Sequence, residues 1–311
     1  MSEFLFSQKY RPKRVADCIL PDRLKNVFQE FVNTKSIPNL MLTGSAGVGK
    51  TSVAVAMCEE LGINYLFINS SEERGIDTLR VKIRGYASTV SLAGGRKVII
   101  LDEADYITPE AQAALRGSME EFSANCTFIF TCNFKARLIE ALHSRCSVVD
   151  FTLSAEEKPK LALQFFKRVC DILEKENIQF DKAVLIKLVE KFFPDFRRTL
   201  NELQRYARNG KIDASVLTQI ADVKNIGDLI KSLKEKDFRS VRKWVVLNSD
   251  IDPARIYRKI YDGLYEFLKP ASIPQAVVII ARYQYQAAFV ADQEINLIAC
   301  LTEIMVETEQ L

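Results

Sequence analysis

Gly44-Ser45-Ala46-Gly47-Val48-Gly49-Lys50-Thr51 fits the pattern GxxxxGK(S/T), and this stretch limits the possible folds more tightly than any other in the chain. The pattern has meaning only where a strand ends and a helix begins. Both neighbours are present. Leu40–Thr43 is a short apolar run, and after the loop Val53, Ala56, Met57 and Leu61 recur three and four apart. Glycines in such a loop let backbone N–H groups close around an anion, and the helix N-terminus adds its positive dipole end. A lysine at this place reaches the β- and γ-phosphates of a nucleoside triphosphate, and the hydroxyl beside it binds Mg²⁺. Gly44, Gly47, Val48, Gly49, Lys50, Thr51 and Ser52 are therefore the candidate ATP-phosphate residues.

About fifty residues later comes Val98-Ile99-Ile100-Leu101-Asp102-Glu103-Ala104-Asp105, an apolar strand ending in carboxylates. Ligands bind at that carboxyl edge in α/β sheets, so the strand end is expected beside the phosphate loop. Asp102 is the candidate second Mg²⁺ ligand, and Glu103 is the candidate base for the attacking water. An acidic turn alone is a weak signal; its place after the loop makes it strong.

Further strands are expected at Tyr65–Asn69, Thr127–Thr131 and Ser147–Phe151. The helical patterns between them include one over Ala111–Phe122, opened by Thr108-Pro109. Alternation of this kind implies a parallel sheet covered on both faces. From Ser154 onward the chain reads as helix, in one block to about Ile220 (with a stop at Asn209-Gly210 and then a short helix) and a second from Val223 to Leu311. The expected domains are 1–152 (α/β), 153–222 and 223–311 (both helical). Tyr283, Tyr285, Phe289 and apolar residues up to Met305 form an amphipathic stripe, expected to be core or subunit interface.

Composition narrows the function. A net charge of +3 from 43 basic and 40 acidic residues confines any nucleic-acid contact to a local patch. The seven scattered cysteines form no CxxC pair, and His143 is the only histidine, so neither a disulfide framework nor a structural zinc site is expected. The apolar runs are too short for a bilayer, which points to a cytoplasmic protein without membrane partners.

The order of motifs resembles the small ATPase subunits of replication factor C and the related phage clamp loaders, members of the AAA+ class. Lys9-Tyr10-Arg11-Pro12 resembles the family's segment over the nucleotide base, which implies Ser7, Gln8, Lys9, Tyr10, Arg11 and Ile19 as ATP-binding residues. The stretch Asn69–Asp77 resembles the family's segment after strand two, and Ala111–Arg116 with Met119-Glu120 its central helix. Thr131-Cys132-Asn133 resembles sensor 1, with Asn133 orienting water, and Phe193–Arg198 resembles sensor 2, with Arg197 on phosphate. Ser144-Arg145-Cys146 matches the clamp-loader SRC motif and implies that Arg145 is an arginine finger acting in trans. Lying two strands after Asp102, Arg145 is not expected to fold back onto its own phosphate loop. Gln112 and Arg116, one helical turn apart, are implied as coupling residues, and Arg80, Lys82 and Arg84 as contacts to DNA phosphates.

Departures exist: Gly117 stands where the cellular family has a second arginine, Pro194-Asp195 replaces Gly-Asp, and the Trp-Val-Glu lead-in is missing. Cys18–Pro21 and Pro194–Arg197 look more like the large-subunit ATPase of T-even-type phages, which would place the protein in a host cytoplasm. The resemblance implies an α/β AAA+ domain with a five-stranded parallel sheet, a helical lid and an all-helical collar. It implies an ATP- and Mg²⁺-dependent hydrolase whose partners are a sliding clamp, primer–template DNA, further copies of itself and a non-identical companion subunit in a five-membered open ring. A branch-migration helicase is the alternative. An unfoldase would carry an aromatic-Gly pore loop where Tyr86-Ala87-Ser88 stands, and a non-hydrolysing scaffold would lack Lys50, Asp102, Glu103 and Arg145.

Overall fold

The computed structural model describes residues 5–73, 75–89, 96–207, 210–213, 226–249 and 252–309. The chain divides into two compact units, 1–216 and 217–311. The expected boundary at 222/223, the short helix before Ile220 and Arg74 lie outside the described residues.

The first unit holds a five-stranded, all-parallel sheet in the order β2-β3-β4-β1-β5. Its strands are β1 (Leu40–Thr43), β2 (Tyr65–Asn69), β3 (Lys97–Asp102), β4 (Cys126–Cys132) and β5 (Ser147–Asp150). Successive side chains point to opposite faces, and both faces are covered. After the short N-terminal helix α1 (Phe6–Lys9) come α2 (Asp22–Asn33) and α3 (Lys50–Leu61), which pack with Leu40, Leu42, Val98 and Ile100. Met41, Ile99, Leu101 and Phe130 pack with α4 (Ile76–Ala87) and α5 (Pro109–Glu121). This two-sided burial is why the inner strands β1, β3 and β4 are almost wholly apolar, while the edge strands β2 and β5 are partly exposed.

Local signals set the helix ends. Gly49 (φ 95°) opens α3 and Gly62 (φ 63°) closes it, both in the left-handed region that glycine adopts at little cost. Thr108 caps α5 by accepting from the Ala111 N–H, with Pro109 at the first helical position.

A short helix α6 (Glu140–His143) precedes β5, and among the described residues the lid consists of α7 (Glu157–Lys175), α8 (Lys182–Phe192) and α9 (Phe196–Tyr206). It is not purely helical, because Gln179–Phe180 and Lys211–Ile212 pair as two short parallel strands. Arg23 on α2 ties down the hinge between sheet and lid. Its guanidinium donates to the carbonyls of Asp150 (3.1 Å) and Thr152 (2.8 Å) and to the Glu157 carboxylate (3.0 Å).

The second unit, among the described residues, contains helices at Ile226–Lys234, Phe238–Leu247, Pro253–Phe267, Ile273–Gln286 and Gln293–Glu307. They close around Leu229, Trp244, Tyr257, Phe267 and Leu301. The expected amphipathic stripe splits: Met305 is buried in this core, whereas Tyr285 and Phe289 are about three-quarters exposed and pack against each other at 5.3 Å. None of the seven cysteines is in a disulfide. Among the described residues no helix is long and apolar enough to cross a membrane.

Candidate functional site

A cleft of about 370 Å³ lies at the carboxyl edge of the sheet, between the phosphate loop, the N-terminal segment and the lid. Its floor is the loop at Ala46–Ser52. Lys50 is 7% exposed, and its ammonium donates to the carbonyls of Gly44 (2.7 Å) and Ser45 (2.7 Å) and to Asn133 Oδ1 (2.9 Å). Burial pushes this ammonium below its ordinary range, against the opposing pull of Cys132, Asp102 and Asp105.

The acidic wall is built across a strand. β3 is not adjacent to β1, as a place beside the loop would suggest; β4 runs between them. Asp102 spans the gap by accepting from the Thr51 and Thr131 hydroxyls, each at 2.6 Å on Oδ1. Thr131 also accepts from the Glu103 backbone N–H at 3.1 Å. Sequence reasoning gave Thr131 no role of its own; its only signal is that it is a hydroxyl within an apolar strand. Glu103 sits in the left-handed region (φ 54°), uncommon for a residue with a side chain, at the cleft wall. Thr51 and Asp102 place two hard oxygen ligands side by side, which fits Mg²⁺, an ion that keeps several waters and takes the rest of its shell from phosphate.

The other walls come from the N-terminal segment and the lid. Ser7, Gln8, Tyr10, Arg11 and Ile19 line the cleft, but Lys9 does not. Lys9 points outward to Glu176 at the end of α7, at 2.5 Å, and the Tyr10 hydroxyl donates to the same carboxylate. Ser7 donates to Asn201 at 3.0 Å, and the Phe6 N–H to Gln204 at 2.8 Å, so the N-terminal segment is fastened to the lid. Arg197 lines the cleft on α9. Phe165, Arg168 and Ile172 also line it, and their spacing on one face of α7 was readable as helix periodicity but not as a ligand wall. The loop and lid touch directly, with the Phe196 N–H donating to the Gly47 carbonyl at 3.1 Å.

Three groups of candidates lie away from the cleft. Arg145 lies two residues before the amino end of β5. Counting strands does not separate it from the loop, because β5 pairs directly with β1. Strand direction does: Ser147 is in register with Leu40 and Asp150 with Thr43, so Arg145 lies at the edge opposite the loop. Gln112 and Arg116 do not share an environment. Gln112 is 2% exposed and bonded to the backbone of Ile107, Arg137 and Ile139, while Arg116 is exposed beside Glu120. Arg80, Lys82 and Arg84 are exposed on α4, with Lys82 paired to Glu73 and Arg84 to Glu121.

Residues 40–152 match the ATPase family associated with various cellular activities, and residues 157–218 match the AAA+ ATPase lid domain of the sliding-clamp-loader large subunit. The chain is 33% identical to the sliding-clamp-loader large subunit of Enterobacteria phage T4, over 99% of this chain and 97% of that one. It is 38% identical to the protein of the same name from Escherichia phage RB69, over 77% and 76% of the two chains. It is 36% identical to the replication factor C small subunit of Archaeoglobus fulgidus, again over 77% and 76%. Among solved structures, the Thermotoga maritima RuvB Holliday junction branch migration motor shares the fold at 14% identity, with a TM-score of 0.53 over 72% of this chain and 78% of that one.

Proposed function

Because the chain belongs to the AAA+ clamp-loader ATPases, the family of phage sliding-clamp-loader large subunits and replication factor C small subunits, and is thus an ATP-hydrolysing enzyme, we propose that it loads a sliding clamp onto primer–template DNA. The observation that carries this reading is the cleft itself. Phosphate loop, acidic strand end and lid converge in one subunit, while the SRC arginine sits at the opposite edge of the sheet, away from its own cleft.

ATP lies with its base between the N-terminal segment and the lid and its phosphates over the loop. On ATP binding Lys50 turns from the Gly44 and Ser45 carbonyls toward the β- and γ-phosphates. Asn133 accepts from Lys50 through Oδ1, leaving its amide N–H₂ to orient water. Glu103 takes the proton of that water as its oxygen attacks the γ-phosphorus and ADP leaves. Mg²⁺ held by Thr51, Asp102 and phosphate oxygens would offset the negative charge on the phosphates. Arg197 acts from the lid in the same subunit, and Arg145 acts on the adjoining subunit's γ-phosphate.

The assembly is a five-membered open ring of further copies and one non-identical companion, working in a host cytoplasm. ATP organises the ring to open the clamp, DNA enters along Arg80, Lys82 and Arg84, and Gln112 with Arg116 relays DNA contact to the ATP sites. Hydrolysis then releases the closed clamp. The test is ATP turnover with and without cognate clamp and primer–template DNA. Strong joint stimulation is expected; stimulation by four-way junctions and none by the clamp would replace the proposal with branch migration. The likeness to RuvB carries the fold and no argument for that activity.

A further inference from the structure

Two cations converge on one carboxylate at the C-terminal end of α5. Arg145 donates to Glu120 Oε1 from Nε (3.0 Å) and from Nη2 (2.5 Å), and Arg116 Nε lies 3.7 Å from the same oxygen. Arg145 Nη1 donates to the Ala141 carbonyl at 2.9 Å and to the Ser144 hydroxyl at 3.3 Å. All three guanidinium nitrogens are therefore held by their own subunit, and each terminal nitrogen carries two hydrogens. The Glu120 carboxyl is held below its ordinary range, first by the hydrogen bond from Arg145 and then by that arginine's charge.

α5 grips the segment leading to Arg145 at two points. Near its start, Gln112 donates to the Arg137 carbonyl (3.1 Å) and accepts from the Ile139 N–H (2.8 Å). Two turns later Glu120 holds Arg145 itself. The adjacent Glu121 holds Arg84 of α4 at 3.1 Å.

We infer that Glu120 is a positioning residue for Arg145, fixing the orientation in which the guanidinium meets the neighbouring subunit's nucleotide. This rests on the reading of Arg145 as a finger in trans. A brake is the other role such a carboxylate could have, and magnitudes decide against it. The Arg145 and Glu120 side chains are 31% and 53% exposed, and ion pairs this open are weak. An arginine finger is worth roughly 10³–10⁵ in turnover. A weak pair cannot withhold so strong a contact, but it can restrict a flexible side chain to one rotamer, which lowers the entropy lost when the contact forms.

The experiment compares Glu120→Ala, Glu120→Gln, Arg145→Ala and the Glu120→Ala/Arg145→Ala double variant in the assembled loader, with clamp and primer–template DNA. Glu120→Ala is expected to lower kcat about 2- to 5-fold, the most that an ion pair this exposed can contribute by holding the guanidinium in place, with KM for ATP unchanged. Glu120→Gln keeps an acceptor oxygen and is expected to recover most of the loss. In the Arg145→Ala background, Glu120→Ala should cost nothing more, because the group it positions is gone. Normal turnover of Glu120→Ala beside a crippled Arg145→Ala overturns the positioning role and leaves the finger standing. A full further loss in the double variant also overturns it, since Glu120 would then act independently of Arg145. Normal turnover of Arg145→Ala overturns the finger, and the inference with it.

Discussion

Gly47 and Gly49 lie two residues apart in the phosphate loop, and the same substitution at each should give different results. Both have positive φ (75° and 95°), so alanine at either pays the left-handed cost of roughly 1–2 kcal/mol. A Cβ at Gly49 meets nothing within 4 Å, but at Gly47 it would stand 1.8 Å from Asp195 Oδ1 and 2.4 Å from its Cγ. Asp195 caps α9 by accepting from the Arg198 N–H at 2.9 Å, and moving it aside forfeits a cap worth about 1 kcal/mol. Gly47→Ala should therefore destabilise the first unit by roughly 2–3 kcal/mol and Gly49→Ala by roughly 1–2. Asp195→Ala alone should cost about 1 kcal/mol, and the Gly47→Ala/Asp195→Ala pair no more than Gly47→Ala, because the cap is lost only once. The single tryptophan, Trp244, belongs to the second unit, so its fluorescence is the wrong probe. Circular-dichroism denaturation together with amide exchange in α9 reads the right transition. If the two glycine variants cost the same, or the double variant costs the plain sum, the loop does not press on the lid as described.

Lys50→Met should abolish turnover and the ATP-dependent rise in melting temperature, a loss of about 2.7 kcal/mol at a hundredfold excess of ATP over Kd; an unchanged shift would contradict the site. Burial lowers the Lys50 pKa, so the unfolded chain binds more protons between that lowered value and 10.5, and stability should rise with pH through this window. That slope should flatten in Lys50→Met, as measured by melting at several pH values. Glu103→Gln should bind ATP, clamp and DNA and then fail to release them; normal phosphate release would remove Glu103 as the base. Arg80→Ala should weaken DNA binding about equally across sequences and flatten its salt dependence, and identical titrations at several salt concentrations would take Arg80 off the DNA surface.

The parts legible in sequence were those whose signal is local. β1 was expected at the residues where it occurs, because a strand buried on both faces spells an unbroken apolar run, and β2, a partly exposed edge strand, was still marked by its run of Tyr65, Leu66, Phe67 and Ile68. β3 and β4 begin one residue earlier, at Lys97 and Cys126, and Lys97 misleads because its charge is buried on the Tyr86 carbonyl and Thr89 hydroxyl. Contacts made across the chain left no such mark. The Gln112 partners Arg137 and Ile139 are 25 and 27 residues away, so a buried glutamine read like an exposed one. Asp195 against Gly47 and Lys9 on Glu176 likewise arise only when the lid folds back over the loop.

The direction of β5 beside β1 has a consequence for symmetry. The cleft opens at one edge of the sheet and Arg145 sits at the other; with Arg145 acting in trans as proposed, the subunit has a side that receives a finger and a different side that offers one. A two-fold axis would bring like sides together and complete neither site. Only a repeated rotation of the same sense pairs each cleft with a finger, and a series of this kind that stops short of closing ends in one cleft lacking a finger and one finger lacking a cleft. The two ends of such a series are chemically unlike, so a companion subunit that needs only one of the two functions can occupy an end without disabling the rest.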